Sequence, residues 1–477
     1  MENKFKQICI HPSSSIRQVM QTINQGALGL AILVEPDTEL FIGLITDGDI
    51  RRALLGGFGL ETQVDQMTRP TPVTAPADAN AEQLASMFNE KIRVIPLLNK
   101  TGQLVDLALL DRRTRLPVAA PALAEKELLY VTECILTGWI SSAGKFVTRF
   151  EEMFAAFCHA KYAVATSNGT TALHLALLAV GIGPGDEVIV PTLTFIATAN
   201  AVTYCGARPV FVDSESETWN LDPLAVEKAI TPRTKAIIPV HLYGHPANMA
   251  PILALAATHG LKIIEDAAEA HGASYQGRPV GALGDVGIFS FYGNKIVTTG
   301  EGGMLVTNNQ ALADRARLLR DHGMQPDRRY WHSVLGYNYR LTNLQAAVGV
   351  AQMESIETIL NDRRRMADAY TRHLSGIPGL TTPPNAQWAA NVYWLYSIII
   401  DPDLFGAGRD ELIAHLGKDG IDSRPFFPCV HTQPIYSTGQ RLPIAEHLSA
   451  NGLSLPSFTY ISDDNIQRIA MTIRDCC

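Results

Sequence analysis

Ser290-Phe-Tyr-Gly-Asn-Lys295-Ile-Val-Thr-Thr-Gly-Glu-Gly-Gly-Met304 sets one lysine in a glycine-rich turn. Val286-Gly-Ile-Phe289 before it and Met304-Leu-Val-Thr307 after it are short apolar runs that read as strands. A lysine held at a tight turn between buried strands loses solvation. That lowers its pKa and frees its amine for Schiff-base chemistry. Ser290 upstream and the Thr298/Thr299 pair are candidate phosphate ligands beside it. On this segment alone, a surface lysine in a β-turn competes with the cofactor reading.

Outward from this turn the chain alternates helix and strand patterns. Residues 151–159 and 171–180 read as helices, and 162–165, 187–190, 209–213, 236–240 and 262–266 as strands. The alternation predicts right-handed crossovers and an α/β fold with a mainly parallel central sheet over residues 116–370. The shorter pattern at 371–477 predicts a smaller α+β C-terminal subdomain.

Four further segments bear on Lys295. In Ser167-Asn-Gly169-Thr170-Thr171, between a strand and a helix, the amides of Thr170 and Thr171 would sit at the helix N-terminus, a natural seat for a phosphate. An N-cap without ligand is the alternative. Ile263-Ile-Glu265-Asp266-Ala-Ala-Glu269-Ala-His271 ends an apolar strand in carboxylates, where open α/β sheets gather ligands. Asp266 there can keep a heteroaromatic nitrogen protonated, against a plain helix cap, while Glu269 and His271 compete with a reading as solvated polar residues. Phe195, after another strand end, can stack on a planar ring or belong to the core. Gly336-Tyr-Asn338-Tyr-Arg340 offers polar and cationic groups, or only a surface turn. Together these parts are those of a pyridoxal-phosphate (PLP/PMP) enzyme.

Residues 1–115 differ. Leu28–Val34 and Leu40–Ile45 read as strands and Asp49–Leu55 as a helix, with a weaker copy from Ile92 to Arg113 about 60 residues later, predicting a tandem repeat. Leu116-Pro-Val-Ala-Ala-Pro-Ala122 reads as a linker. The 477 residues, 47% of them hydrophobic and 18% charged, suit two or three globular domains. A net charge of −8 argues against nucleic acid or anionic membranes as partners. Seven cysteines without metal or disulfide spacing, and no apolar run of membrane-spanning length, predict a cytoplasmic protein.

The segments SNGTTALHLAL, DEVIVPTLTFIATANAV, IPVHLYGHPANM, IIEDAAEAHGA, SFYGNKIVTTGEGGM and GYNYRLTNLQAA resemble, in order, those of the DegT/StrS nucleotide-sugar aminotransferases, of the aspartate-aminotransferase fold (PLP fold type I). By that resemblance Lys295 is the catalytic Schiff-base lysine, Asp266 the partner of the ring nitrogen, and Glu269 a neighbour of the ring hydroxyl. Phe195 stacks on the ring, and Thr170, Thr171 and Ser290 bind its phosphate. Asn338 comes to the same phosphate from the neighbouring subunit of a homodimer, and Arg340 and His271 face the substrate. HLYGHPANM, FYGNK, RYWHSVLGYNYR and RPFFPCVHTQPIY are most similar to members that move the amino group of L-glutamate, leaving 2-oxoglutarate, onto C4 of GDP-4-keto-6-deoxy-D-mannose for lipopolysaccharide O-antigen. A UDP-linked keto sugar is the alternative substrate. Relatives that dehydrate sugars carry histidine where this chain has Lys295. Residues 1–115 resemble a CBS-domain pair, in which Thr46 and Asp49 of Gly43-Leu-Ile-Thr-Asp-Gly-Asp would hold an adenine nucleotide. In the second copy Ala108 replaces the threonine, while Asp111 remains. A non-catalytic nucleotide sensor is the rival of another class, opposed by the intact set Lys295, Asp266, Thr170 and Ser290.

Overall fold

The computed structural model describes every residue except 1–7, 27–28, 37, 68–70, 80–82, 85–86, 88–91, 93, 110–115, 438 and 477. Two compact units divide the chain, residues 1–114 and 115–477.

In the first unit, Cys9–Ile10, Leu30–Val34 and Phe41–Thr46 form a sheet whose first pair is parallel and second antiparallel. Ala75–Pro76, Val94–Leu98 and Leu104–Leu109 repeat that plan. Even the register irregularity recurs, at Leu33/Val34 and at Leu97/Leu98. The tandem repeat read from the sequence is therefore present in the strand pairing; Asp111–Arg113 of the second copy lies outside the described residues. Thr46 caps the helix Asp47–Leu55 in a capping box with Asp49.

The second unit is built on a seven-stranded sheet in the order Tyr162–Thr166, Gly303–Thr307, Val286–Ser290, Lys262–Asp266, Thr234–Ile237, Glu187–Pro191, Arg208–Val212. Only Gly303–Thr307 runs against its neighbours; the other pairings are parallel. The reversal follows from the Lys295 loop, which turns through Gly300 at φ 81° and brings the chain back beside Val286–Ser290. Alternate residues of these strands enter opposite cores. Ile189, Ile263 and Met304 pack with Phe150 and Phe154 on one face, and Val188, Ile264 and Leu305 with Leu173 and Val202 on the other. Both faces are covered, which is why the strands read as continuous apolar runs.

The C-terminal part forms an antiparallel sheet in the order Leu380–Thr381, Tyr396–Ile400, Gly452–Leu455, Arg424–Pro425. Two expectations about boundaries change. The helix Ile356–Leu374 runs unbroken through 370/371, with Ile359 and Leu360 in the large core and Tyr370 and Leu374 in the small one. The segment read as a linker is docked: Leu116 bonds Gly420 O and Asp422 N, and Ser457 N donates to Val118 O. Prolines mark chain that cannot be helix, but not whether a distant strand pairs with it.

Candidate active site

Beyond the carboxyl ends of the parallel strands lies a cavity of about 670 Å³, lined among others by Gly169, Thr170, Phe195, Asp266, Ser290 and Lys295. The Lys295 side chain is largely buried, its Nζ 3.7 Å from Glu269 Oε1 and 3.6 Å from the centre of the Trp394 ring. Burial pushes its pKa below the ordinary lysine value, against the pull of Glu269 and Asp266. Burial thus shifts the balance of this amine towards its neutral form.

Period-two alternation sorts the carboxylates that end Lys262–Asp266. Glu265 points away from the cavity and takes hydrogen bonds from the amides of Gly281, Leu283 and Gly284. Asp266 points into it, held by Thr198 Oγ1 at 2.9 Å and the Ala268 amide at 3.2 Å. Burial raises the Asp266 pKa, with those two hydrogen bonds opposing. Glu269 accepts from the Tyr243 amide at 2.8 Å, and burial pushes its pKa up to about 7 despite Lys295 nearby. Tyr243 reaches it from a left-handed backbone conformation, φ 52°. His271 is a correction. The chain turns tightly after Asp266 and sends the ring into the core against Phe154, Phe289 and Phe291, so His271 does not line the cavity. Burial holds its pKa down to about 3, leaving it neutral.

The helix Gly169–Ala179 opens on the cavity. A Cβ on Gly169 would lie 2.8 Å from Ser290 Cβ, so only glycine lets the first helical turn meet the strand end. Gly169 and Thr170, the first two helical residues, have amides with no intrahelical acceptor. Thr171 lines the cavity, but its amide donates to Asn168 Oδ1 and its hydroxyl to Asn168 O, so as a phosphate ligand it is already committed. Thr298 and Thr299 likewise close their own turn, donating to Phe291 O and Glu301 O, and do not line the cavity. Phe195 lines it and is 54% exposed, its ring centre 5.8 Å from that of Phe427. Asn338 and Arg340 lie outside it, joined to each other and, through Arg340, to Asp321 at 2.6 Å. In the first unit Thr46 and Asp49 bond each other, and Asp49 pairs with Arg52.

Sequence reading missed Thr198, Tyr243, Trp394 and Arg424, all of which line the cavity. Three stood inside segments already singled out, and only Trp394, in strand-leading chain far along the sequence, had no local signal. Its Nε1 donates to Asn294 O at 2.8 Å, tying the small subdomain to the lysine loop.

Residues 121–474 match the DegT/DnrJ/EryC1/StrS aminotransferase family. The chain belongs to that family. It is 51% identical over 358 residues to the GDP-perosamine synthase of Caulobacter vibrioides, covering 74% of this chain and 96% of that one. It is 46% identical over 361 residues to the GDP-perosamine synthase of Escherichia coli O157:H7, covering 76% and 98%. Among solved structures, Streptomyces venezuelae DesV in complex with a ketimine intermediate superposes with TM-score 0.70 at 39% identity, over 75% of this chain and 98% of that one. Residues 5–56 match the CBS domain. As a family member this chain is a PLP-dependent sugar aminotransferase of fold type I, with glutamate as amino donor. The cavity fits that cofactor: free helix amides beside Ser290 suit its phosphate, and buried Asp266, costly to ionise alone, suits a cationic ring nitrogen. Among the described residues no group is arranged to hold a metal, and no helix is long and apolar enough to cross a membrane.

Proposed function

We propose that the protein transfers the amino group of L-glutamate to C4 of GDP-4-keto-6-deoxy-D-mannose, forming GDP-perosamine. The observation that carries this is its 46–51% identity to two GDP-perosamine synthases over nearly their whole length. When bound, pyridoxal phosphate supplies an electron sink for the carbanion left when a C–H bond beside nitrogen breaks. Lys295 is its covalent anchor; released, Nζ takes the proton from Cα of glutamate and delivers one to C4 of the sugar. Asp266 would keep the ring nitrogen protonated, and Glu269 would stand by the ring hydroxyl. The Gly169 and Thr170 amides and the Ser290 hydroxyl would hold the phosphate, and Phe195 would stack on the ring. Incubation with glutamate and a panel of GDP- and UDP-linked keto sugars, with products identified by mass and NMR, tests the reading. Turnover of UDP-linked substrates alone would replace the nucleotide and keep the reaction.

Two associations extend the proposal. The helix Glu125–Thr137 leaves Leu128, Leu129, Ile135 and Leu136 between 60% and 81% exposed, an apolar face suited to a second copy of the chain. In such a dimer Asn338 serves the neighbour's cofactor phosphate. At Thr46 and Asp49 the repeat unit binds an adenine nucleotide; titration of the full chain with ATP, ADP and AMP checks it, and absence of binding removes it.

A further inference from the structure

We infer that Arg424 is the anion anchor of the cavity, gripping either a carboxylate of the amino donor or the phosphate oxygens of the nucleotide-linked sugar. The inference rests on the aminotransferase reading above. The cavity has a charge problem. Its lining carries three carboxylates, Asp266, Glu269 and Glu301, against two cationic side chains, Lys295 and Arg424. Lys295 is held between Glu269 and the Trp394 ring and is needed for proton transfer. Glutamate brings two carboxylates and a nucleotide-linked sugar brings a diphosphate, so each substrate in turn brings negative charge to a site whose lining offers only two basic side chains. At short range in a partly enclosed site, an uncompensated like-charge contact is unfavourable.

Arg424 is the one described group free to answer that charge. Its side chain makes no ion pair or hydrogen bond with a described residue, unlike that of Arg340, which is paired with Asp321 and stands outside the cavity. Its backbone is fixed: Arg424–Pro425 pairs antiparallel with Gly452–Leu455, Arg424 opposite Ser454, and Ser454 lines the same cavity. Arg424 is exposed at the cavity wall, where its guanidinium can present paired donors to carboxylate or phosphate oxygens in a bidentate fork, which a lysine cannot reproduce.

The test is the kinetics of holoenzyme carrying Arg424→Gln and Arg424→Lys. In a ping-pong reaction kcat/KM for glutamate and kcat/KM for the sugar each report their own half, so the two arms separate the two anion sources. We expect unchanged cofactor absorbance in both variants. In at least one arm R424Q lowers kcat/KM at least tenfold, through KM more than kcat, and R424K restores part of it. The arm that falls names the anion. Both arms within twofold of the parent, or loss of the bound cofactor in both variants, would overturn the inference. If the parent protein itself fails to react with glutamate, it is the aminotransferase reading that falls.

Discussion

In the proposed reaction Lys295 carries the proton transfer, and burial, an acid and an aromatic face all act on its amine. Replacement by Ala should cut kcat by about a thousandfold, within the range for loss of a proton-transferring group, and abolish the absorbance of covalently held cofactor. Asp266 depends on a neighbour that was invisible as such in the sequence. Thr198→Ala removes a hydrogen bond that favours the Asp266 carboxylate, leaving burial to push its pKa higher still. The acid limb of the kcat–pH profile should therefore move to higher pH, since the working form is the carboxylate; an unmoved limb would refute the role of Thr198. Lys295 and Asp266 were legible because a reactive lysine in a glycine-rich turn and a carboxylate at a strand end are local patterns. His271 was misassigned for the same reason, since nothing local tells a cavity-facing imidazole from one turned into a phenylalanine cluster.

At the level of elements, the proposed phosphate cradle is a contact between the helix Gly169–Ala179 and the strand Val286–Ser290. Gly169→Ala would normally favour a helix, but here its methyl meets Ser290. We expect cofactor affinity, measured by absorbance titration, to fall about tenfold, or roughly 1.4 kcal/mol. The edge of the sheet is tied by charge. Burial alone would raise the Glu187 pKa, yet hydrogen bonds from Thr231, Arg208 and Arg233 outweigh it and bring it from 4.5 to about 2. A depressed carboxylate contributes stability that is fully present above its unfolded pKa and is lost as pH falls from about 4.5 towards 2. Because both arginines are mostly exposed, screening reduces the contribution to about 1–2 kcal/mol. Denaturant melts should show Glu187→Gln less stable than the parent by that amount at pH 7, with the gap narrowing below about pH 4.5 and closing only towards pH 2.

Across the whole molecule, the proposed dimer is the feature a mixing experiment can test most directly. If Asn338 serves the neighbouring cavity, mixing the inactive Lys295→Ala chain with an Asn338→Ala chain should restore activity, because one of the two sites in a mixed dimer is then intact. Recovery no greater than the sum of the separate variants would sink the shared site.

The sequence by itself determined the alternation of strands and helices, the tandem plan of the first unit, and the lysine, aspartate and glycine of the site. Each is written in local chemistry: period, turn residues, or a charged group ending an apolar run. Only the tertiary structure decided which way those groups face. Asp266 enters the cavity and Glu265 does not, Thr171 is consumed by its own helix cap, and His271 is core. It also brought Trp394 onto Lys295, and Arg424 to the same cavity, across long stretches of chain. Direction and distant contact depend on how whole elements pack, and no short stretch carries that information.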